Sequence, residues 1–177
     1  MKNTSAAAAT ATTQLDWLTL THASAESVVL RRWRQLGRTR FGRWLFARAV
    51  CRRAPYFASI APLVEELRTG YCVASFAKRR AVENHIGTVH ALAIGNLCEL
   101  AAGMVTEVTI PNTMRWLPRG MTIEYLRKAE SDVRATARLD KSEWREACNV
   151  GVPVTVVDGA GEEVVRAVIT MHVSPRR

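Results

Sequence analysis

The chain has 177 residues, which suits one domain with room for a sizeable core. Its 48% hydrophobic and 23% charged residues are ordinary for a soluble globular protein. Charged residues interrupt every apolar run well short of the roughly 18 residues of a membrane span. The N-terminal Ala and Thr tract lacks the bulky apolar residues of a signal-peptide core. The four cysteines lack CxxC-type spacing, so neither a zinc site nor a redox motif is indicated. We therefore expect a cytoplasmic protein that holds no metal and no cofactor.

The net charge of +9 is concentrated in the N-terminal third. Residues 1–55 hold ten basic residues against two acidic ones, a balance of +8, and the rest of the chain is nearly neutral. We expect residues 1–26 to form a disordered tail, because they begin with a low-complexity Ala, Thr and Ser tract that offers little to bury. Residues 27–55 predict a basic amphipathic helical extension of one or two helices, bent or broken near Gly37 and Gly42.

This basic extension allows two interpretations. In the first, Trp33, Trp44 and Phe46 pack on the domain that follows while the arginines stay in solvent, since aromatics at helical spacing are more often core than docking surface. In the second, the interleaved Arg and Trp residues meet an anionic membrane or a nucleic-acid backbone. We favour the first interpretation and expect no specific nucleic-acid binding. A weak contact between residues 27–53 and an anionic membrane is retained as the alternative.

From residue 56 onward the pattern predicts strands around one long helix. One hairpin turns at Thr69-Gly70 and another crosses residues 159–161. The helix is predicted over residues 88–104, and a helical turn is predicted over residues 141–147. Strands are predicted at residues 62–67, 71–77, 105–110, 114–120, 121–126, 131–140, 152–158 and 162–173. An antiparallel sheet wrapped around one central helix is consistent with this order of elements.

The predicted central helix carries one carboxylate in its middle, Glu99. Small residues surround it at helical spacing, Gly95 and Gly103 among them, while large aliphatic side chains occupy the opposite face. The small face would let a ligand or another subunit come close. A carboxylate placed there would be partly removed from water and therefore more reactive, unless it simply points to solvent at the helix edge.

The segment that begins at Asn84 resembles the motif of the hotdog-fold acyl-CoA thioesterases, in particular the PaaI-type enzymes and the hotdog proteins of unknown function near them. Asn84, Gly87, His90 and Glu99 fill the positions of that motif at its spacings, with the acidic residue nine positions after the histidine. The resemblance implies an α+β hotdog fold for residues 56–177, in which an antiparallel sheet wraps around a long central helix.

The resemblance also implies hydrolysis of an acyl thioester, usually acyl-coenzyme A, at a site shared by two subunits of a homodimer or tetramer. Glu99 would act as general base or nucleophile, Asn84 would orient water or the carbonyl, and His90 would hold the turn or assist the leaving thiolate. Backbone amides around His90 and Ala91 would polarise the thioester oxygen. The substrate-binding residues expected on this basis are Gly87, Ala91, Gly95 and Thr122.

Two positions depart from the family pattern. Ala91-Leu92 stands where one or two glycines usually follow the histidine, and Pro118 stands where Ser or Thr often occurs, with Thr122 a little further on. These departures favour a second hypothesis, a non-catalytic hotdog protein that binds acyl groups or assembles partners. A third hypothesis, in which the basic helices bring the hotdog domain to a membrane or nucleic acid, is compatible with either of the first two.

Overall fold

The computed structural model describes residues 26–141 and 143–176, so the predicted tail lies outside the described residues except for its last position. The helices are α1 (Val28–Leu36), α2 (Arg40–Arg53) and α3 (Ala91–Thr109), and two short 3₁₀ segments span Pro55–Ile60 and Arg80–Val82. The strands are β1 (Leu63–Arg68), β2 (Tyr71–Phe76), β3 (Met114–Tyr125), β4 (Val133–Arg138), β5 (Cys148–Val157) and β6 (Glu163–Pro175).

The six strands form one antiparallel sheet in the order β1-β2-β4-β5-β6-β3. The two predicted hairpins are confirmed as the β1–β2 and β5–β6 connections. Every strand contacts α3, and the strand residues that face the helix form the core. A sheet that wraps one helix with all its strands is the hotdog architecture predicted from the sequence, and it leaves β1 and β3 as its two edges.

The central helix begins later and ends later than its sequence pattern predicts. His90 caps its first turn, and the helix continues to Thr109, shortly before Pro111. The prediction of a strand over residues 105–110 is therefore wrong. These β-branched residues keep the helical burial pattern, and the hydroxyl of Thr106 donates to a carbonyl one turn earlier. By length and hydropathy α3 could cross a membrane, but 67% of its most apolar stretch is buried inside the folded chain.

Two further details of the strand region differ from prediction. The two strands predicted at residues 114–120 and 121–126 form one strand, β3, which ends at Tyr125 and whose register with β6 shifts at a bulge between Pro118 and Gly120. The predicted helical turn at residues 141–147 is wrong, because those of its residues that the structure describes are irregular. The local pattern of Lys and Glu favours a helix there, but the chain instead forms an irregular connection between β4 and β5.

The basic extension forms two helices, with the predicted break at Gly37 confirmed. The predicted bend at Gly42 is wrong, because Gly42 lies in the first turn of α2. A Cβ atom there would lie 1.9 Å from the carbonyl oxygen at the end of α1, so the glycine permits close packing of the two helices. Trp33 and Phe46 are buried against the core as predicted, whereas Trp44 is 52% exposed.

Candidate functional site

Glu99 lies in the middle of α3 and is half-buried. Within the described residues its carboxylate has neither a hydrogen bond nor an ion pair. The glycines one turn before and one turn after it are covered by β3 of the same chain. A Cβ on Gly95 would meet Met121 Sδ at 3.7 Å, and one on Gly103 would meet the Trp116 ring at 2.8 Å. The helix face that carries the small residues therefore packs under β3 of the same chain. The prediction that this face meets another subunit is corrected accordingly.

The turn before α3 is organised by Asn84. Its Oδ1 accepts hydrogen bonds from the N–H groups of Ile86 and Thr88, both at 3.1 Å, and its Nδ2 donates to Thr88 Oγ1 at 2.8 Å. Gly87 sits inside the turn at φ +78°, a conformation that disfavours other residues. The contacts of Asn84 and Gly87 are thus contacts within the turn, and they fix how the chain enters the central helix.

His90 closes the same turn and caps α3. Its N–H donates to the Val82 carbonyl at 2.8 Å, and its Nδ1 accepts from the Leu92 N–H at 3.1 Å. The His90 and Leu92 amides are therefore occupied. In the described part of the chain the Ala91 N–H has no acceptor, so this first helical amide is the one free to meet a developing negative charge.

Strand β3 ties the start of the helix to the sheet. The Tyr125 hydroxyl donates to the Ala91 carbonyl at 3.2 Å. Partial burial, with a smaller contribution from Cys98, raises the pKa of Tyr125. This contact leaves the Ala91 N–H untouched while it holds the Ala91 carbonyl on the sheet side.

The predicted site residues do not all come together within one chain. Ala91 and Glu99 are eight residues apart on one helix, which separates them by about 12 Å along its axis. Thr122 lies on the other face of β3, because its neighbours Met121 and Ile123 are the residues that reach α3 at Gly95. One subunit therefore presents the carboxylate and the free amide at two separate places.

A cavity of about 180 Å³ lies beside the first two turns of α3, between the helix and the two 3₁₀ segments. Asn96 lines it and is only 7% exposed. Asn96 is not one of the positions of the sequence motif. Its contacts come from Tyr56 and Ser59, about 40 residues earlier in the chain, and periodicity carries no signal for such contacts. In the described ranges no three His, Cys, Asp or Glu side chains converge as metal ligands would.

Solved structures place this architecture in the hotdog class. A crystal structure from a structural-genomics programme is 47% identical, covers 84% of this chain and 97% of its own, and superposes with a TM-score of 0.73. A Pseudomonas aeruginosa protein of unknown function, called a probable thioesterase, is 23% identical over 75% of this chain and 95% of its own, with a TM-score of 0.67. A Haemophilus influenzae thioesterase is 12% identical over 72% and 87% of the two chains, with a TM-score of 0.63.

The particular family follows from the sequence itself. Residues 42–173 match the family described as a domain of unknown function, DUF4442, and the chain belongs to that family. No curated protein matches the chain. The match covers α2 except its first two residues and nearly all of the sheet, so the family's domain includes α2 as well as the central helix.

Proposed function

We propose that this protein is a thioester hydrolase that acts on acyl-coenzyme A or a similar acyl thioester. The observation that carries the proposal is that one helix holds two groups without partners among the described residues. These groups are the half-buried carboxylate of Glu99 and the N–H of Ala91. These are the two groups that acyl transfer to water requires: a base or nucleophile, and a donor for the oxyanion.

Glu99 takes a proton from water as the water oxygen bonds to the thioester carbonyl carbon. The carbonyl oxygen gains the negative charge and is stabilised by the Ala91 N–H and by the positive end of the α3 dipole. Collapse of this tetrahedral intermediate expels the thiolate, which takes up a proton, and leaves the carboxylic acid. Direct attack by the Glu99 carboxylate, with hydrolysis of the resulting anhydride, is the other route open to the same two groups.

The separation of about 12 Å between these groups implies a site completed by a second copy of the chain, since reacting atoms must approach to roughly 3 Å. Strand β3 offers the interface: among the described strands it pairs with β6 alone, which leaves its other edge open, and Leu117 on this strand is exposed. A two-fold axis beside β3 sets the two α3 helices antiparallel, so that Ala91 of one subunit faces Glu99 of the other. A dimer is thus part of the proposal, and tetramers are compatible with it.

Turnover on a panel of acyl-coenzyme A substrates of different chain length tests the activity. We expect thiol release that is lost in the Glu99→Gln variant and a mass of at least a dimer at micromolar concentration. No release from any member of the panel, from a dimer of intact fold, would favour the non-catalytic hotdog protein. The methyl group of Ala91 and the proline at position 118 are the two features that support this alternative.

A contact with an anionic membrane is the second proposal, and exposed side chains on α2 support it. Phe41, Trp44 and Leu45 are 70%, 52% and 42% exposed on one face of the helix, and Arg48 and Arg52 continue that face. Residues 26–55 hold nine arginines and one acidic residue. Apolar side chains flanked by arginines suit the interface of an acidic bilayer, which a cytoplasmic protein meets at the inner membrane face.

Co-sedimentation with vesicles tests this second proposal. We expect binding to phosphatidylglycerol-containing vesicles that falls with added salt and is lost in an Arg48→Gln, Arg52→Gln variant, but no binding to neutral vesicles. Replacement of Lys128 and Arg145, exposed basic residues outside α2, provides the matched control and should leave binding unchanged. Retention on DNA without retention on vesicles would contradict the membrane proposal.

A further inference from the structure

The first turn of α3 presents the amide that the proposed reaction uses, but its own side chains bury little. Ala91 is exposed, and Leu92 is 70% exposed. Helix ends fray where few contacts hold the terminal turn. The Ala91 N–H has no acceptor in the described part of the chain. Its direction therefore depends on how the peptide groups on either side of Ala91 are held.

Hydrogen bonds hold both of these peptide groups. The group before Ala91 carries the free N–H, and its other end, the His90 carbonyl, accepts from two N–H groups of the next turn at 3.0 and 3.2 Å. The group after Ala91 is held at both ends. Its N–H, that of Leu92, donates to His90 Nδ1 at 3.1 Å, and its carbonyl, that of Ala91, accepts from the Tyr125 hydroxyl at 3.2 Å. Because peptide groups are planar, these bonds together fix where the Ala91 N–H points.

Of these contacts, the one from Tyr125 ties the first turn to the sheet. Tyr125 is the last residue of β3, and its backbone pairs with Val165 of β6. The Ala91 carbonyl already faces the N–H of Gly95 one turn later, as in any α-helix, so the phenol is a second donor to the same oxygen. Removing the phenol hydroxyl should therefore leave the helix formed and loosen only its first turn.

Strand β3 also sets the helix relative to the proposed dimer. It covers α3 at Gly95 and Gly103 and reaches the first turn through Tyr125. In the proposed dimer this strand lies beside the two-fold axis, and Ala91 of one subunit faces Glu99 of the other. Groups that act together in catalysis must be held to within about 0.5 Å. A first turn that frays would misplace the oxyanion donor relative to the base.

We infer that Tyr125 is a positioning residue of the proposed thioester hydrolysis. Its hydrogen bond to the Ala91 carbonyl holds the Ala91 N–H in the direction of the developing oxyanion. The inference rests on the proposed function and adds a residue to its site. Tyr125 acts through Ala91 and does not touch the reacting atoms. Its loss should therefore lower kcat and leave thioester binding nearly unchanged, because the oxyanion forms only in the transition state.

Replacement of Tyr125 by phenylalanine removes the hydroxyl and keeps the ring. In thiol release from acyl-coenzyme A we expect kcat to fall about threefold to tenfold, the scale of one hydrogen bond, with KM within about twofold of the parent. Tyr71→Phe is the matched control and should keep the parental kcat, because Tyr71 lies on β2 and its hydroxyl makes no hydrogen bond to any described residue. A parent that hydrolyses no thioester would refute the hydrolase, whereas an active parent whose Tyr125→Phe variant keeps its kcat would refute the role of Tyr125 alone.

A measurement without turnover separates positioning from general stability. The readout is backbone amide relaxation in the full-length protein, with the parent and the Tyr125→Phe variant compared at Ala91 and in the middle of α3. We expect the order parameter of the Ala91 amide to fall from about 0.85, typical of a rigid backbone, towards about 0.6, while the middle of the helix is unchanged. Equal order of the Ala91 amide in the two proteins would overturn the inference, whatever the activity.

Discussion

Replacement of Glu99 by glutamine tests the chemistry most directly. The substitution keeps the shape of the side chain and removes its basic and nucleophilic oxygen pair. A general base contributes at least about 10²-fold to the rate, which corresponds to about 2.7 kcal/mol of transition-state stabilisation. We expect kcat to fall by that factor or more while KM changes little, because the lost interaction belongs to the transition state. The assay is thiol release from acyl-coenzyme A at saturating substrate.

The same variant should fold as well as the parent protein. Glu99 is half-buried and has no partner among the described residues, so a neutral isostere removes a desolvated charge without breaking a hydrogen bond. We therefore expect an unchanged or slightly higher Tm. A loss of activity accompanied by a lower Tm would instead indicate a damaged fold.

Glu107 provides the matched control, since it is the other acidic residue of α3. Its Oε2 accepts from Trp116 Nε1 at 2.7 Å, and this bond joins the helix to β3. Glu107→Gln weakens a charge-assisted bond, so we expect a stability loss of about 1 kcal/mol with kcat within about twofold of the parent. If Glu99→Gln hydrolyses the substrate at the parental rate, Glu99 is structural and the reasoning about the site is refuted.

The remaining predictions concern packing, titration and reactivity. Gly103→Ala places a methyl group 2.8 Å from the Trp116 ring, so urea denaturation should show a loss of about 1–3 kcal/mol, and no loss would mean that the ring moves freely. The pKa of Tyr125 is raised, so in an absorbance titration it should ionise at a higher pH than ordinary tyrosines. Its contribution to the free energy of unfolding should decline as the pH rises through its ionisation. Tyr125→Phe should abolish both effects. Burial raises the pKa of Cys98 to about 12, so mass spectrometry should find iodoacetamide on half-exposed Cys148 well before Cys98.

Most of the fold was predictable because its signals are local. The hairpin at Thr69-Gly70 follows from strand alternation around a turn, and the core face of α3 follows from residues at helical spacing. The end of α3 was not predictable in this way, since five of the six residues at 105–110 are β-branched and favour a strand locally. Burial of Val105 and Val108 inside the sheet outweighs that preference, and propensity differences are too small to oppose it.

The site was predictable only where its residues are close in sequence. The spacing of Asn84, His90 and Glu99 indicates a turn followed by a helix that carries an acid, and the structure contains these elements, whereas the role of His90 as the helix cap was not predicted. It could not reveal that β3 of the same chain covers Gly95, nor that a 3₁₀ segment orients Asn96, because both depend on contacts between distant parts of the chain. The catalytic assignment itself stays a prediction until Glu99 is replaced.

Glu99 and Asn96 are three residues apart on α3, yet their surroundings differ. Asn96 is held by the first 3₁₀ segment, whereas Glu99 lies between the two glycines that β3 covers. A base needs access to water, and a residue that anchors a neighbouring segment needs fixed partners, so one helix can serve both needs only if it meets different elements on its two sides. It follows that Glu99→Gln should lower kcat with little change in Tm, while Asn96→Leu, which removes the hydrogen bond to Ser59, should lower Tm with little change in the kcat of the folded protein. Two substitutions that each lowered both quantities would mean that the two residues share one site.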